Sequence, residues 1–256
     1  MRIPIRTSRW AIWASRAARL ALPVLVIAVF MHRDRLIDSP TFLAAGRLGI
    51  GLGLIALIVG LIAYARIWFT GDRGWRPATI GVVTGLICLA PVVYAVVQGV
   101  RYPMLHDVST DLLVPPALQG TSPIAPGFTP AIEAGIRAAF PNAAARDYPL
   151  SAGETFDLVA ELVAARGWTI LVEAPPGPGA PGTLNAVALT MLGWRDEVAI
   201  RIVDLGEGAR LDMRSASYDG THDLGANGLR IESLLLELDD AVTERTHELG
   251  LVAPGG

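Results

Sequence analysis

The chain contains no lysine; all 21 of its basic residues are arginine. That substitution of one cation for another across the whole length fits a GC-rich coding bias, as in many bacteria, and carries no chemistry of its own. A single cysteine, Cys88, lies in an apolar run. An intrachain disulfide is therefore excluded, and cysteine usage says nothing about redox compartment. Only four histidines occur, and no Cys/His group has the spacing of a zinc site. The G-x-S-x-G elbow of an α/β-hydrolase is missing. A G-x-G-x-G run at Gly49, Gly51 and Gly53 sits inside an apolar stretch, where no strand and turn can frame a dinucleotide. These absences leave no legible catalytic set, metal site or cofactor.

What is present is an uneven distribution of charge. Residues 1–100 hold 11 arginines and 3 acidic residues, whereas residues 101–256 hold 10 arginines and 21 acidic residues. Two halves of opposite sign imply two environments. The acidic half argues against nucleic acid as a partner, because phosphates need a basic face, and against flat docking on anionic lipid.

The basic half reads as membrane. Arg2, Arg6, Arg9, Arg16 and Arg19 precede an apolar run from Leu20 to Met31. A signal peptide has this layout, but His32, Arg33, Asp34 and Arg35 follow in place of a small-residue cleavage site, so an uncleaved anchor is expected. The run is short against the roughly 20 residues of a span. Extension back to about residue 14 requires Arg16 and Arg19 to snorkel to the headgroups; the alternative is an interfacial amphipathic helix. The second run, Phe42 to Ala65, carries only Arg47, and the third, Pro77 to Val100, carries no charge. Three spans are expected, at about 14–31, 42–65 and 77–100. Gly49/Gly53 and Gly81/Gly85 offer small faces for close helix packing. Eight arginines lie in the N-terminal tail and the loop Arg66–Arg76, against Arg33, Arg35 and Arg101 on the other side. The positive-inside rule then places the N-terminus in the cytoplasm and everything after Arg101 outside it.

Residues 101–150 read as a motif-bearing segment and a Pro/Gly/Ser/Thr-rich linker, with a short helix at Ala131–Phe140. A compact domain is expected over 151–250. Ser151 and Glu154 form a capping box ahead of a helix with Phe156, Val159, Ala160 and Val163 on one face, stopped by Gly167. Four strands follow. In Trp168–Glu173 the side chains of Trp168, Ile170 and Val172 share a face. In Asn185–Leu192 the inward set is Val187, Leu189 and Met191; in Glu197–Asp204 it is Val198, Ile200 and Ile202; in Ala209–Tyr218 it includes Leu211 and Met213. A last helix, Leu224–Glu248, carries the stripe Ile231, Leu234, Leu235, Leu238 and Val242. The expected class is α+β: a helical membrane region, then an antiparallel four-stranded sheet with two flanking helices on one face.

Four stretches carry a resemblance: Y-P-x-x-H-D-x-S-T-D (Tyr102 to Asp111), G-W-R-D-E-V (Gly193 to Val198), R-S-A-S (Arg214 to Ser217) and D-L-G-A-N-G-L-R-I (Asp223 to Ile231). In this order they resemble the domain of unknown function 1499 family of bacteria and plants. Membrane spans also precede the domain in relatives. The resemblance implies the domain and its anchoring, and no activity.

The polar residues admit several readings. His106-Asp107 and His222-Asp223 echo metal-dependent phosphohydrolases, but the further ligands are lacking. Asp223 is better placed to cap the last helix, and Asp107 and Asp111 to tie down turns. Ser215 or Ser217 with His222 and Asp223 would suit a hydrolase, yet alternation turns both serines inward. Asp196 and Glu197 point to opposite faces of a strand, which disfavours an acid/base pair. Arg214, Asn227 and Arg230 gather near a strand end and form either an anion or carboxylate site or an internal network fixing the helix on the sheet; the network is favoured. Glu197, diagonal to Arg214, is its expected carboxylate. Arg230, in the first turns of a helix where the dipole disfavours a cation, needs Asp196, Asp223 or an external anion.

The expectation for function is a membrane-anchored cell-envelope protein in the bacterial inner membrane, with a periplasmic domain that binds a partner or small ligand without catalysis. Its partners would be the lipid bilayer and another envelope protein or a small ligand. The alternatives are an envelope hydrolase using an unrecognised polar cluster and an assembly factor for membrane complexes.

Overall fold

A computed structural model describes residues 6–120 and 128–250. Part of the Pro/Gly-rich linker, part of the basic N-terminal tail and the last six residues lie outside the described residues. The chain divides into two units, Met1–Val97 and Gln98–Gly256.

In the first unit, α1 spans Arg9–Arg33, α2 Ser39–Thr70 and α3 Trp75–Arg101. Asp38 caps α2 by accepting the Thr41 N–H at 3.0 Å, and Gly71 ends it in the left-handed conformation. The side chains buried between these helices are nearly all small. They include Ala11, Ala14, Ala18 and Ala21 on α1, Gly49, Gly53, Ala56 and Gly60 on α2, and Ala78, Gly81, Gly85 and Cys88 on α3. A Cβ at Gly53 would collide with Cys88, and one at Gly85 with the Gly53 carbonyl and Leu57. Large apolar side chains such as Leu54, Ile58, Leu86 and Val93 point outward. Water selects the reverse arrangement; small residues inside and large ones outside suit a hydrocarbon solvent, where close backbone approach drives association. Each helix is long and apolar enough to cross a membrane. The first reaches that length by starting at Arg9, upstream of the expected residue 14.

The second unit continues with β1 (Asp107–Ser109), α4 (Pro130–Ala139), β2 (Arg146–Tyr148), α5 (Ala152–Ala165), β3 (Thr169–Ala174), β4 (Gly182–Leu189), β5 (Arg195–Asp204), β6 (Ala209–Ser217) and α6 (Ala226–Glu248). The strands form one antiparallel sheet in the order β1-β6-β5-β4-β3, with β2 also paired to β6. The sheet thus has six strands where four were expected. The two extra ones are three residues each, too short to show alternation, and both come from residues 101–150, the stretch read as a motif-bearing segment and linker. That stretch also supplies core side chains: Tyr102, Leu105, Val108, Ile136 and Phe140 are buried with the rest.

α5 and α6 cover one face. The Ser151 hydroxyl accepts the Glu154 N–H while the Glu154 carboxylate accepts the Ser151 N–H, each at 3.2 Å. Phe156, Val159 and Val163 of α5 and Ile231, Leu234, Leu235 and Leu238 of α6 close on Val198, Ile200, Ile202, Leu211 and Met213 of the sheet. β4 faces opposite to expectation. Leu184, Ala186 and Ala188 are its buried residues beneath the helices, while Leu189 is 46% and Met191 81% exposed. The sequence suggested turning the larger side chains inward, but the space beneath α5 admits small ones. In β3 a bulge between Ile170 and Val172 pairs them with Ala186 and Asn185. Those neighbours on β4 face opposite ways, so Ile170 and Val172 do not share a face.

Candidate functional site

Two polar networks lie back to back on the sheet. The first is on the helix-covered face, at the entry to α6. Leu224 (φ 56°) and Gly225 (φ 86°) make a left-handed corner, and the rings of Tyr102 and Phe140 lie against Gly225 and Gly228, where a Cβ would collide with them. Asp223 accepts the N–H groups of Gly225 (2.9 Å), the N-cap of α6, and of Asn227 (2.8 Å) in its first turn, so it satisfies the start of α6 from two residues upstream of the cap. Burial, reinforced by the Asp196 carboxylate, pushes the Asp223 carboxyl above its ordinary range, against the pull of those two N–H bonds. Asn227 is fully satisfied. Its Oδ1 accepts from the Ser215 hydroxyl (2.7 Å) and Arg230 Nη1 (2.7 Å), and its Nδ2 donates to the His106 carbonyl (3.1 Å) and Ser217 Oγ (2.9 Å). Arg230 Nη2 donates to Asp196 Oδ2 at 2.5 Å, between side chains only 11% and 3% exposed. The internal carboxylate that Arg230 needs is therefore Asp196.

The second network is on the opposite face. Arg214 makes a two-pronged pair with Asp107, Nε to Oδ1 at 3.0 Å and Nη2 to Oδ2 at 2.6 Å. Its carboxylate is not Glu197, because β1 docks beside β6 and brings Asp107 opposite Ala216, next to Arg214. Arg201 bridges Asp212 (2.8 Å) and Asp111 (2.9 Å).

The segment Asp111–Gly120 crosses this face as a strap, held by its main chain. Arg201 donates to the Val114 carbonyl (2.9 Å), Arg214 to that of Pro116 (3.4 Å) and Asn185 to that of Ala117 (2.9 Å). Glu197 accepts the N–H groups of Gln119 and Gly120. Asp111 itself folds the start of the strap by accepting the Leu113 and Val114 N–H groups, each at 3.0 Å. Burial works to raise the Asp111 carboxyl, but these bonds and the Arg201 guanidinium outweigh it and hold it below the usual carboxylate range. Pro115 and Pro116 bring no N–H that would need a partner.

The sequence-marked residues therefore divide. Asp196, Asp223, Asn227 and Arg230 come together on one face with the main chain of His106. Asp107, Asp111, Glu197 and Arg214 come together on the other. Ser215, Ser217, Asn185, Arg201 and Asp212 complete the networks and were not singled out as members. The alternation Arg210, Asp212, Arg214 was the available signal that one face of β6 is polar.

Chemically, these groups are engaged with one another. Both serines bond to Asn227, and neither ring nitrogen of His222 has a hydrogen-bond partner, so no Ser–His relay exists. Among the described residues no three of His, Cys, Asp and Glu gather as metal ligands. A cleft lined by Met104, His106, Asp107 and Phe128 holds about 60 Å³, well below a small-molecule site of roughly 300 Å³ or more. An open hollow of about 750 Å³ lies elsewhere, between Ser151–Gly153, Pro176–Pro181 and Val203, Asp204 and Gly206, and Asp204 is the one titratable residue among the described residues that line it.

A family model described as a protein of unknown function, DUF1499, matches residues 107–238, just over half of the chain. The chain belongs to the DUF1499 family. The DUF1499 match starts on the first residue of β1 and ends within α6, so it contains both networks and the strap and excludes the three apolar helices. No curated protein and no solved structure matches the chain.

Proposed function

We propose that this DUF1499 chain is a membrane-anchored, non-catalytic domain that binds a protein partner in a bacterial envelope through its strap. The supporting observation is that the strap's main chain is pinned to the sheet while two adjacent apolar side chains at its start are turned out: Leu113 is 89% and Val114 65% exposed. A segment fixed in advance loses little conformational freedom on binding, which favours recognition of those side chains. Enclosed carboxylates and serines tied to an amide favour this reading over an envelope hydrolase.

Replacing Leu113 and Val114 together by aspartate should leave stability within about 0.5 kcal/mol, because both are surface positions. The same variant should fail to complement a deletion strain, and a photo-crosslinking side chain at Leu113 should capture a discrete partner in intact membranes. Full complementation would sink the proposal. Turnover by the purified chain of an ester, phosphoester or glycoside, abolished by Glu197→Gln, would replace it with the hydrolase.

The arginine asymmetry supports a cytoplasmic N-terminus and a domain outside the cytoplasm. An export-dependent reporter enzyme fused after Gly256 should be active, and one fused within Arg66–Arg76 silent. The reverse pattern would put the domain in the cytoplasm.

A further inference from the structure

The strap is held in two separate halves. In the first, Asp111 folds Leu113 and Val114 through their N–H groups, and Arg201 binds both Asp111 and the Val114 carbonyl. The second half, Pro116–Gly120, lies on one side chain from each of three adjacent strands: Asn185 of β4, Glu197 of β5 and Arg214 of β6. Those side chains hold the strap by its main chain alone. Within this half only the side chain of Pro116 is buried, while Ala117 and Gln119 are exposed, and the half belongs to no strand. A segment with so little apolar burial and no ladder bonds opens at the low-stability end of a domain.

What lies beneath this half is costly to enclose. Glu197 is fully buried, yet every group that bonds to it is neutral: the N–H groups of Gln119 and Gly120, Asn185 Nδ2 at 3.2 Å and the Tyr218 hydroxyl at 3.4 Å. Asp107, Asp196 and Asp212 each have an arginine, whereas Glu197 takes part in no ion pair among the described residues. Asn185 is also fully buried, and its Oδ1 has no hydrogen-bond partner. A carboxylate enclosed without a cation and an amide oxygen enclosed without a donor are penalties that a purely structural cover over apolar residues would avoid. Both are relieved when the half lifts and the face is offered to other donors.

We infer that the Asn185–Glu197–Arg214 face is a binding site for an extended peptide segment of another protein, and that the second half of the strap occupies it in the unliganded chain. The strap displays the chemistry such a peptide must have. Two successive carbonyls accept from Arg214 and Asn185, and two successive N–H groups donate to Glu197. The last position bears no side chain, because a Cβ at Gly120 would run into the Tyr218 hydroxyl and the Glu197 carboxylate. Pro116 and Gly120 thus define the pattern P-x-x-x-G. A free anion is not the ligand this face suits, since Arg214 is already neutralised by Asp107. The inference stands apart from the contact proposed for Leu113 and Val114: Asp111 and Arg201 hold those two residues independently, so either reading fails without the other.

The test uses the full chain in lipid nanodiscs and a fluorescent synthetic peptide with the sequence of Val114–Gly120. In hydrogen exchange the Gln119 and Gly120 amides should exchange about 100-fold or more faster than the amides of β5 and β6, which open only with the whole domain. By fluorescence anisotropy the peptide should bind the Gly120→Ala chain, whose strap no longer closes, at least about tenfold more tightly than the unsubstituted chain, where the tethered strap competes at an effective concentration on the order of millimolar. Pro116→Gly, which removes the one buried side chain of this half, serves where Gly120→Ala disturbs the fold. Methylating the peptide nitrogens that correspond to Gln119 and Gly120 removes the donors to Glu197 and should abolish binding. Strap amides that exchange only with the whole domain, equal binding of the methylated and unmethylated peptides, or no binding to either opened variant would overturn the inference.

Discussion

Arg230→Ala should lower the stability of the sheet domain by on the order of 3–5 kcal/mol, because it strands Asp196 as a buried carboxylate without its cation. The Asp196 side chain is 3% exposed, and Arg230 reaches it at 2.5 Å while also donating to Ser215 and Asn227. A loss of that size should lower the unfolding temperature by about 10 °C or more in a thermal scan. Replacing both partners with apolar residues, as Arg230→Met with Asp196→Leu, should recover much of the loss, since the single change is costly chiefly through the uncompensated charge. If Arg230 instead serves an external anion, Arg230→Ala will unfold at the unsubstituted chain's temperature and fail only in complementation of a deletion strain. That result would make the entry to α6 the binding site.

The pair at Arg230 was legible in outline because it depends on local patterns. The alternation of β5 and β6 and the 3.6-residue stripe of α6 put a helical cation near strand carboxylates, leaving Asp196, Asp223 or an external anion to choose among. Ser151 and Glu154 announced α5 in the same way, since a capping box is a contact within four residues. The parts that could not be read depend on distant pairing. β1 and β2 are three residues long and exist because β6 offers its free edge to them; neither has a pattern of its own. The strap has no periodicity, as its order comes from side chains on β4, β5 and β6 that hold its main chain. β4 misled for a different reason: its large residues Leu189 and Met191 belong to the far face and the projecting turn, and inward space was filled by Ala186 and Ala188. Size proved a poorer guide to facing than register.

Arg214→Ala is the second large loss expected, again on the order of 3–5 kcal/mol, and it should differ in kind. Its partner Asp107 is 107 positions away in sequence, and the two side chains are 9% and 7% exposed. Because the bond is two-pronged, Arg214→Lys should not restore it: an ammonium cannot match both carboxylate oxygens as the planar guanidinium does. Arg214 also holds the Pro116 carbonyl and sits opposite Ser109 of β1, so its removal loosens both the strap and β1. Limited proteolysis under native conditions separates this from a general loss of stability. Arg214→Ala should be cut faster within Leu113–Gln119 at temperatures where the rest of the domain stays folded, because local opening needs less free energy than global unfolding. Arg230→Ala, whose contacts lie on the other face, should become susceptible only as the whole domain melts. Equal cleavage of the strap in both variants would mean that Arg214 does not hold it, and that the Glu197 and Asn185 contacts to Ala117, Gln119 and Gly120 suffice.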